Sequence, residues 1–310
     1  MAIEITQGLV NATFTGYNTA FNVAFATAQR DTWYQRVCTE LNVAGEVLKL
    51  PFVIDAGTMR EWVGERVVTA LESSDYSIAN KPYEKTLGIN LRKVEDDMLG
   101  LYGPAIANHA QSAAKNPDKI TYELLATGES ATCLDGRPFF AANHPVNPAS
   151  RAGGTYSNLL ASSALTHANL EVALKTMRKI KHPNGKDPLG IRPKVLLVGP
   201  DLQATAEKIL NRGQVAENNA AVDNLNKGRV ELVVADELAD LDDGASWFLI
   251  DDTKPLKPLL FWMRQSIRVV TRTRLDDPSV FDRGELLFGC DGRQGVGFGM
   301  PQCMLKAKTS

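Results

Sequence analysis

Apolar residues recur along this chain with several different periods, and each change of period marks a segment. In the first forty-five residues Phe21, Val23, Ala24, Ala28 and Trp33 follow mixed steps of three and four after a start rich in Thr, Asn and Gly. The side chains from Ala20 to Ala28 are mostly too small for a free-standing core helix, so the pattern predicts a partly helical arm that lies on something else. From Tyr76 to Leu91 the period drops to two in two sections, with Tyr76 and Ile78 on one face and Leu87, Ile89 and Leu91 in a second row. Pro82 lacks the amide that a central strand needs, which limits this stretch to an edge strand or a break. Two extended arms with little apolar surface between them predict a protruding hairpin, which is unstable alone and needs a partner.

A helix is expected over residues 93–115, with Glu95, Asp96 and Asp97 suited to the positive end of its dipole. Gly100, Gly103 and Pro104 impose a kink or a late start. A second helix follows Asn116-Pro117-Asp118, with Ile120, Leu124 and Leu125 on one side and Gly128 as terminator. Cys133 to Gly154 reads as a loop. An amphipathic helix starts at Thr166, with Leu170, Ala173, Leu174, Met177 and Ile180 in step. Strand Val195–Val198, a helix near Leu202–Leu210 and strands Val230–Val234 and Trp247–Ile250 make residues 160–262 a compact α+β unit. The last fifty residues read as strands, and Arg268, Arg272 and Arg274 share one face of the first, with Arg264 nearby.

Composition narrows the class. The 310 residues carry 34 Lys+Arg against 36 Asp+Glu, and 44% are hydrophobic, which excludes general disorder. No run of 18 uncharged apolar residues predicts a membrane span, and the first residues show no secretory pattern. A soluble chain made in a cytoplasm is expected. Balanced charge argues against a dedicated nucleic-acid binder. Cys38, Cys133, Cys290 and Cys303 are too scattered for a disulfide framework or a common zinc pattern, so no metal or cofactor is expected. Cys133 and His144, eleven residues apart in one loop, are the one pair to weigh as nucleophile and base, and nothing in the spacing supplies a third orienting group. Adjacent carboxylates such as Asp242-Asp243 and Asp276-Asp277 suit turns and helix starts better than an ion. The glycines from Gly289 to Gly299 match no phosphate-binding order and read as sites of close strand packing. The arginine row reads either as a solvated face or as a surface that pairs with acidic groups of a neighbouring subunit.

Taken in order, the motifs resemble one family, the Mu-like phage major head subunit (gpT). They are Arg60-Glu61-Trp62-Val63-Gly64-Glu65-Arg66-Val67-Val68, Tyr83-Glu84-Lys85-Thr86-Leu87-Gly88-Ile89 and Glu95-Asp96-Asp97-Met98-Leu99-Gly100-Leu101-Tyr102-Gly103-Pro104. Asp135-Gly136-Arg137-Pro138-Phe139-Phe140 with Asn143-His144-Pro145, then Trp247-Phe248-Leu249-Ile250-Asp251 and Lys254-Pro255-Leu256-Lys257-Pro258-Leu259, continue the series. Gly289-Cys290-Asp291-Gly292-Arg293 and Val296-Gly297-Phe298-Gly299 close it.

The resemblance implies an α+β subunit of the Hong Kong 97-type capsid fold. Its parts would be an N-terminal arm over 1–46 along a neighbouring subunit, an extended loop over 47–92 and a peripheral domain with a long spine helix over 93–159. An axial domain over 160–262 and C-terminal strands over 263–310, returning to the peripheral domain, would complete it. It implies a non-enzyme: a homo-oligomer of hexamers and pentamers closing into an icosahedral virion shell around double-stranded DNA, assembled in a bacterial cytoplasm. Portal, scaffolding or protease, and decoration proteins would be partners, without membrane contact. Scaffolding would come from a separate protein, since no long charged leader precedes the arm. Candidate inter-subunit contacts are Arg60, Glu61, Trp62, Arg66, Lys81, Tyr83 and Lys85 in the extended segment, with Arg268, Arg272 and Arg274. The rival readings are another virion part, tail or baseplate, and a hydrolase built on Cys133 and His144.

Overall fold

The computed structural model describes residues 5–43, 45, 47–51, 73–91, 102–148, 151, 153–217 and 220–309. In chain order the elements begin with helices α1 (Gln7–Arg30) and α2 (Tyr34–Val37), then strands β1 (Cys38–Leu41), β2 (Val47–Pro51), β3 (Ser73–Ala79) and β4 (Lys81–Asn90). Helices α3 (Tyr102–Ala114) and α4 (Asn116–Ala126) lead to short strands β5 (His144–Pro145), β6 (Thr155–Tyr156) and β7 (Leu159–Leu160). Helix α5 (His167–Arg178), strand β8 (Val195–Val198), helix α6 (Pro200–Asn211) and strands β9 (Gln214–Glu217), β10 (Ala220–Asp223), β11 (Glu231–Val234) and β12 (Trp247–Ile250) follow. Strand β13 (Leu259–Arg272), helix α7 (Pro278–Arg283) and strands β14 (Glu285–Phe298) and β15 (Met304–Ala307) end the chain.

Two sheets carry the fold. The larger-stranded hairpin β13–β14 is antiparallel, with β1 parallel on one side and β4 antiparallel on the other, in the order β1-β13-β14-β4. The second sheet runs β11-β8-β12-β15-β7. All four residues of β8 and of β12 are buried, as expected of strands covered on both faces. Alternation along them separates two cores. Leu196, Val198, Trp247 and Leu249 meet α5 and α6 through Leu170, Leu174, Met177, Ile209 and Leu210. Val195, Leu197, Phe248 and Ile250 face the other way, into a junction shared with Tyr34, Phe139, Phe140, Phe261 and Phe298.

Within the subunit the arm has a seat on its own chain. Thr6 caps α1 by accepting from the Leu9 amide at 3.3 Å, and Val10, Phe14, Tyr17, Phe21 and Ala28 bury one stripe of the helix. That stripe lies on its own chain, against Ile106, Ala110 and Ala113 of α3 and Ile89, Leu286 and Phe288 of the sheet. Ala20 and Ala24 face this cluster, where small side chains permit close helix approach and leave the aromatic residues to fill the space beneath.

The extended segment is divided differently. β2 and β3 pair antiparallel, Val47 opposite Ala79 and Lys49 opposite Ser77. Lys81–Asn90 leaves this pair at Asn80 and becomes the outermost strand of the four-stranded sheet, with Pro82 opposite Arg293. The edge position read from Pro82 is observed, while the loop boundary at residue 92 is too late. Of the predicted spine helix, residues 92–101 lie outside the described set, and the described part begins at Tyr102 with Gly103 and Pro104 in its first turn.

Both boundaries of the 160–262 unit shift for similar reasons. β13 already belongs to the four-stranded sheet at Leu259, and the C-terminal strand β15 pairs with β12, so it joins the five-stranded sheet and not the four-stranded one. Leu305 and Ala307 fill the core under α5 and α6. The glycines of β14 admit a crossing strand: a Cβ at Gly295 would lie 2.6 Å from the Ala79 carbonyl, and one at Gly297 would collide with Ile78.

Candidate functional site

The outer face of β13 is built by simple alternation. Met263, Gln265, Ile267, Val269 and Thr271 turn inward, while Arg264, Ser266, Arg268, Val270 and Arg272 are exposed, followed by Arg274 beyond the strand. The arginines do not stand free. Arg268 forks onto Asp291 of β14 at 2.7 and 3.2 Å, Arg274 onto Asp276 at 2.9 and 2.7 Å, and Arg272 lies 3.7 Å from Asp277. In the subunit itself the row is therefore paired with acids of its own chain. The pairs are all solvent-facing, with the arginine side chains 64%, 62% and 77% exposed, where ion pairs hold weakly. Asp277 also caps α7, accepting from the Ser279 amide at 3.1 Å, so the acidic doublet there serves a helix start.

On the neighbouring edge, β4 exposes Lys81, Pro82, Glu84 and Lys85 and half-buries Tyr83. Burial, then the Glu123 charge, pushes the Tyr83 phenol up, so it remains a neutral donor. Lysines and a proline on an outermost strand discourage indiscriminate pairing with other strands. Arg60, Glu61, Trp62 and Arg66 lie outside the described residues.

The Cys133 loop is assembled differently from a nucleophile and base. Asp135 comes between them. The Cys133 thiol donates to one Asp135 oxygen at 3.1 Å, and His144 Nδ1 lies 2.7 Å from the other. His144 Nε2 faces the Phe139 carbonyl at 3.1 Å, so neither ring nitrogen is available to the thiol. Burial and then the Asp135 charge push the Cys133 thiol well up, away from a reactive thiolate. Burial works against the Asp135 carboxylate, but its bonds from His144, the Arg137 amide and Cys133 hold it below the usual range. The hydrolase reading has no assembled couple here. The third group that spacing did not indicate is Asp135, visible in the sequence only as part of an Asp-Gly turn.

Comparison with known proteins adds the decisive observation. The model of the family described as "Mu-like prophage major head subunit gpT" matches residues 10–164, 159–238 and 239–310. The chain belongs to the Mu-like prophage major head subunit family. It is 28% identical over 270 residues to the "Major capsid protein" of Escherichia phage Mu, covering 87% of this chain but only 62% of that protein. It is 22% identical over 299 residues to the "Mu-like prophage FluMu major head subunit" of Haemophilus influenzae, covering 96% of this chain and 73% of the relative. In structure it resembles the subunit in the procapsid of bacteriophage JBD30, with a TM-score of 0.60 and 24% identity over 99% of this chain and 77% of that one. The fold is thus that of phage capsid subunits, the Hong Kong 97-type α+β fold.

For a head subunit, the described candidates share one sheet but stand on opposite faces of it, Arg268 in line with Asp291 and Glu84, and Lys85 in line with Cys290 and Val269. Lys81, Tyr83 and Lys85 lie on β4 and Arg268 and Arg272 on β13, with β14 between the two strands. Arg274 lies at the approach to the hairpin tip. Sequence reading passed over the tip itself: Phe281 on α7 is 92% exposed, held out by the Asp277 cap and by Gly284 at φ 64°. A lone aromatic residue inside a capped turn between two strands is the signal that was available.

Proposed function

We propose that this head-family chain forms the icosahedral shell of a Mu-like phage, closing as hexamers and pentamers around double-stranded DNA. The observation that carries the reading is the family match along nearly the whole length of a chain with a capsid-subunit fold. Function here is geometry and not catalysis. Contacts between identical copies are modest singly and large in sum, and heterologous contacts close into shells when their rotations allow. The segment around Arg60, Glu61, Trp62 and Arg66, the edge residues Lys81, Tyr83 and Lys85, and the row Arg268, Arg272 and Arg274 would supply such contacts. The exposed arginine pairs suit this role because their carboxylate partners are exchanged at little cost. A portal, a scaffolding protein or protease, and decoration proteins of the same phage would be further partners. Packaged DNA would be touched without sequence preference, and assembly would take place in the host cytoplasm. Among the described residues no helix is long and apolar enough to cross a membrane.

Negative-stain electron microscopy of the purified chain, alone and with its phage's scaffolding protein, tests the proposal. Closed shells, or rings of five and six copies, are expected. Open tubes would indicate a tail component, and a monodisperse monomer or dimer under both conditions would overturn the shell-forming role.

A further inference from the structure

Three donors of different chemistry face one another in the loop that follows α4. The Cys133 sulfur, an Asp135 oxygen and a His144 ring nitrogen all lie within 4.8 Å of one another. The site is buried: Cys133 is 4% exposed, and the His144 and Asp135 side chains are 0% and 3% exposed. A carbonyl only accepts, so the 3.1 Å contact of His144 Nε2 with the Phe139 oxygen puts a hydrogen on Nε2. That leaves Nδ1 2.7 Å from an Asp135 oxygen. A metal ion bound by both atoms would replace this direct contact. An independent feature sits beside it. The Tyr156 ring stacks on His144 at 5.1 Å, and its hydroxyl is buried with no hydrogen-bond partner among the described residues.

We propose that Cys133, Asp135 and His144 form a structural zinc site that staples this loop. A sulfur, a carboxylate oxygen and an imidazole nitrogen suit zinc, a borderline-soft ion indifferent to ligand-field geometry. A ligating histidine characteristically donates its other nitrogen to a backbone carbonyl, as His144 does to Phe139. Charge balances: thiolate and carboxylate neutralise a divalent ion, so no net charge is buried. On binding, the Cys133 thiol proton and the proton shared by His144 Nδ1 and Asp135 both leave to solvent, and no oxidation or reduction is involved. The fourth position would fall to a water. What the ion would hold is the turn that carries Phe139 and Phe140 into the junction core, where Phe139 stacks on Phe298 at 4.5 Å.

The test uses the full untagged chain. Metal analysis after gel filtration should find zinc in proportion to protein, a chelator should lower the thermal midpoint, and zinc should restore it. Cobalt(II) added to the stripped protein should produce a thiolate-to-cobalt charge-transfer band that zinc abolishes. Cys133→Ser should remove the band, and both Cys133→Ser and His144→Asn should weaken zinc binding by about tenfold or more. Because those variants also disturb buried packing, the wild-type cobalt titration decides independently. A chain that gives no band, and whose midpoint ignores both zinc and chelator, would overturn the site. Shell formation is read separately by microscopy, so failure here leaves the shell-forming role standing.

Discussion

Phe288→Ala is the sharpest probe of where the arm is anchored. Phe288 is fully buried on β14, and its ring meets Phe14 at 6.1 Å, Tyr17 at 6.5 Å, Phe21 at 5.9 Å and His109 at 6.1 Å. Three of those partners belong to α1 and one to α3, so truncation opens a cavity under both helices at once. A buried Phe→Ala change costs about 3–5 kcal/mol, and at about 1.4 kcal/mol per decade the opening equilibrium of the arm should rise by roughly two to nearly four orders of magnitude. Hydrogen exchange of peptides covering Gln7–Arg30, read by mass spectrometry on the isolated subunit, measures this opening directly. Val23→Ala is the control, since Val23 on the opposite face is 65% exposed and should change protection by less than about 0.5 kcal/mol. A folded Phe288→Ala protein whose arm loses less than about tenfold in protection would refute the intrachain seat and return the helix to a neighbouring subunit.

Three further outcomes are expected. Burial, then the Lys85 charge, holds the His109 pKa below its usual value, and neither ring nitrogen has a partner among the described residues. Its contribution to stability is therefore complete above about pH 6.5 and is lost as pH falls toward the lowered native value, because the unfolded chain takes up the proton first. Asp118, pushed up to about 7 mainly by burial, works in the opposite sense over the same range, so the check is the difference in urea midpoint between wild type and His109→Phe across that window. Lys306, 3% exposed, lies 2.7 Å from Glu129 and 2.5 Å from Asp242, both about one third exposed. Lys306→Met should cost about 1–3 kcal/mol by urea unfolding, the buried-pair penalty discounted for solvent screening, and an unchanged midpoint would remove the network from the account of how β15 is held. Replacing Arg268, Arg272 and Arg274 together by Ala should leave the subunit's urea midpoint nearly unchanged and lower shell yield in scaffold-assisted assembly, and assembly at wild-type yield would sink their role as contacts.

What was legible in the sequence depended on whether partners were near in the chain. Val195–Val198 and Trp247–Ile250 declared themselves as strands because continuous apolar runs need no knowledge of the partner, and Thr166 announced the helix it caps. The arginine face of β13 followed from period two alone. Most of the failures are long-range. Nothing near Met304–Ala307 indicates that it pairs with β12, more than fifty residues earlier. The small side chains around Ala20 signalled close approach to something, but only the pairing of α1 with α3 and Phe288 says that the surface is its own. Asp135 was hidden because a turn residue two positions from a cysteine has an ordinary local explanation.

The same distinction bears on assembly. An exposed arginine already forked onto a carboxylate of its own strand pair, as Arg268 is onto Asp291, is held in one place and nearly free to change partners. In water the two states of such a group differ little. At a closing interface, water leaves and the same pair strengthens, so neighbouring acids on the next copy gain most where the fork is already oriented. Phe281 at the tip of that hairpin would supply the opposite kind of contact, apolar and fixed by its caps. A surface of exchangeable charges ending in one rigid aromatic residue favours contacts that can be tried, released and remade. A shell that must close without trapping misplaced copies needs contacts of that kind.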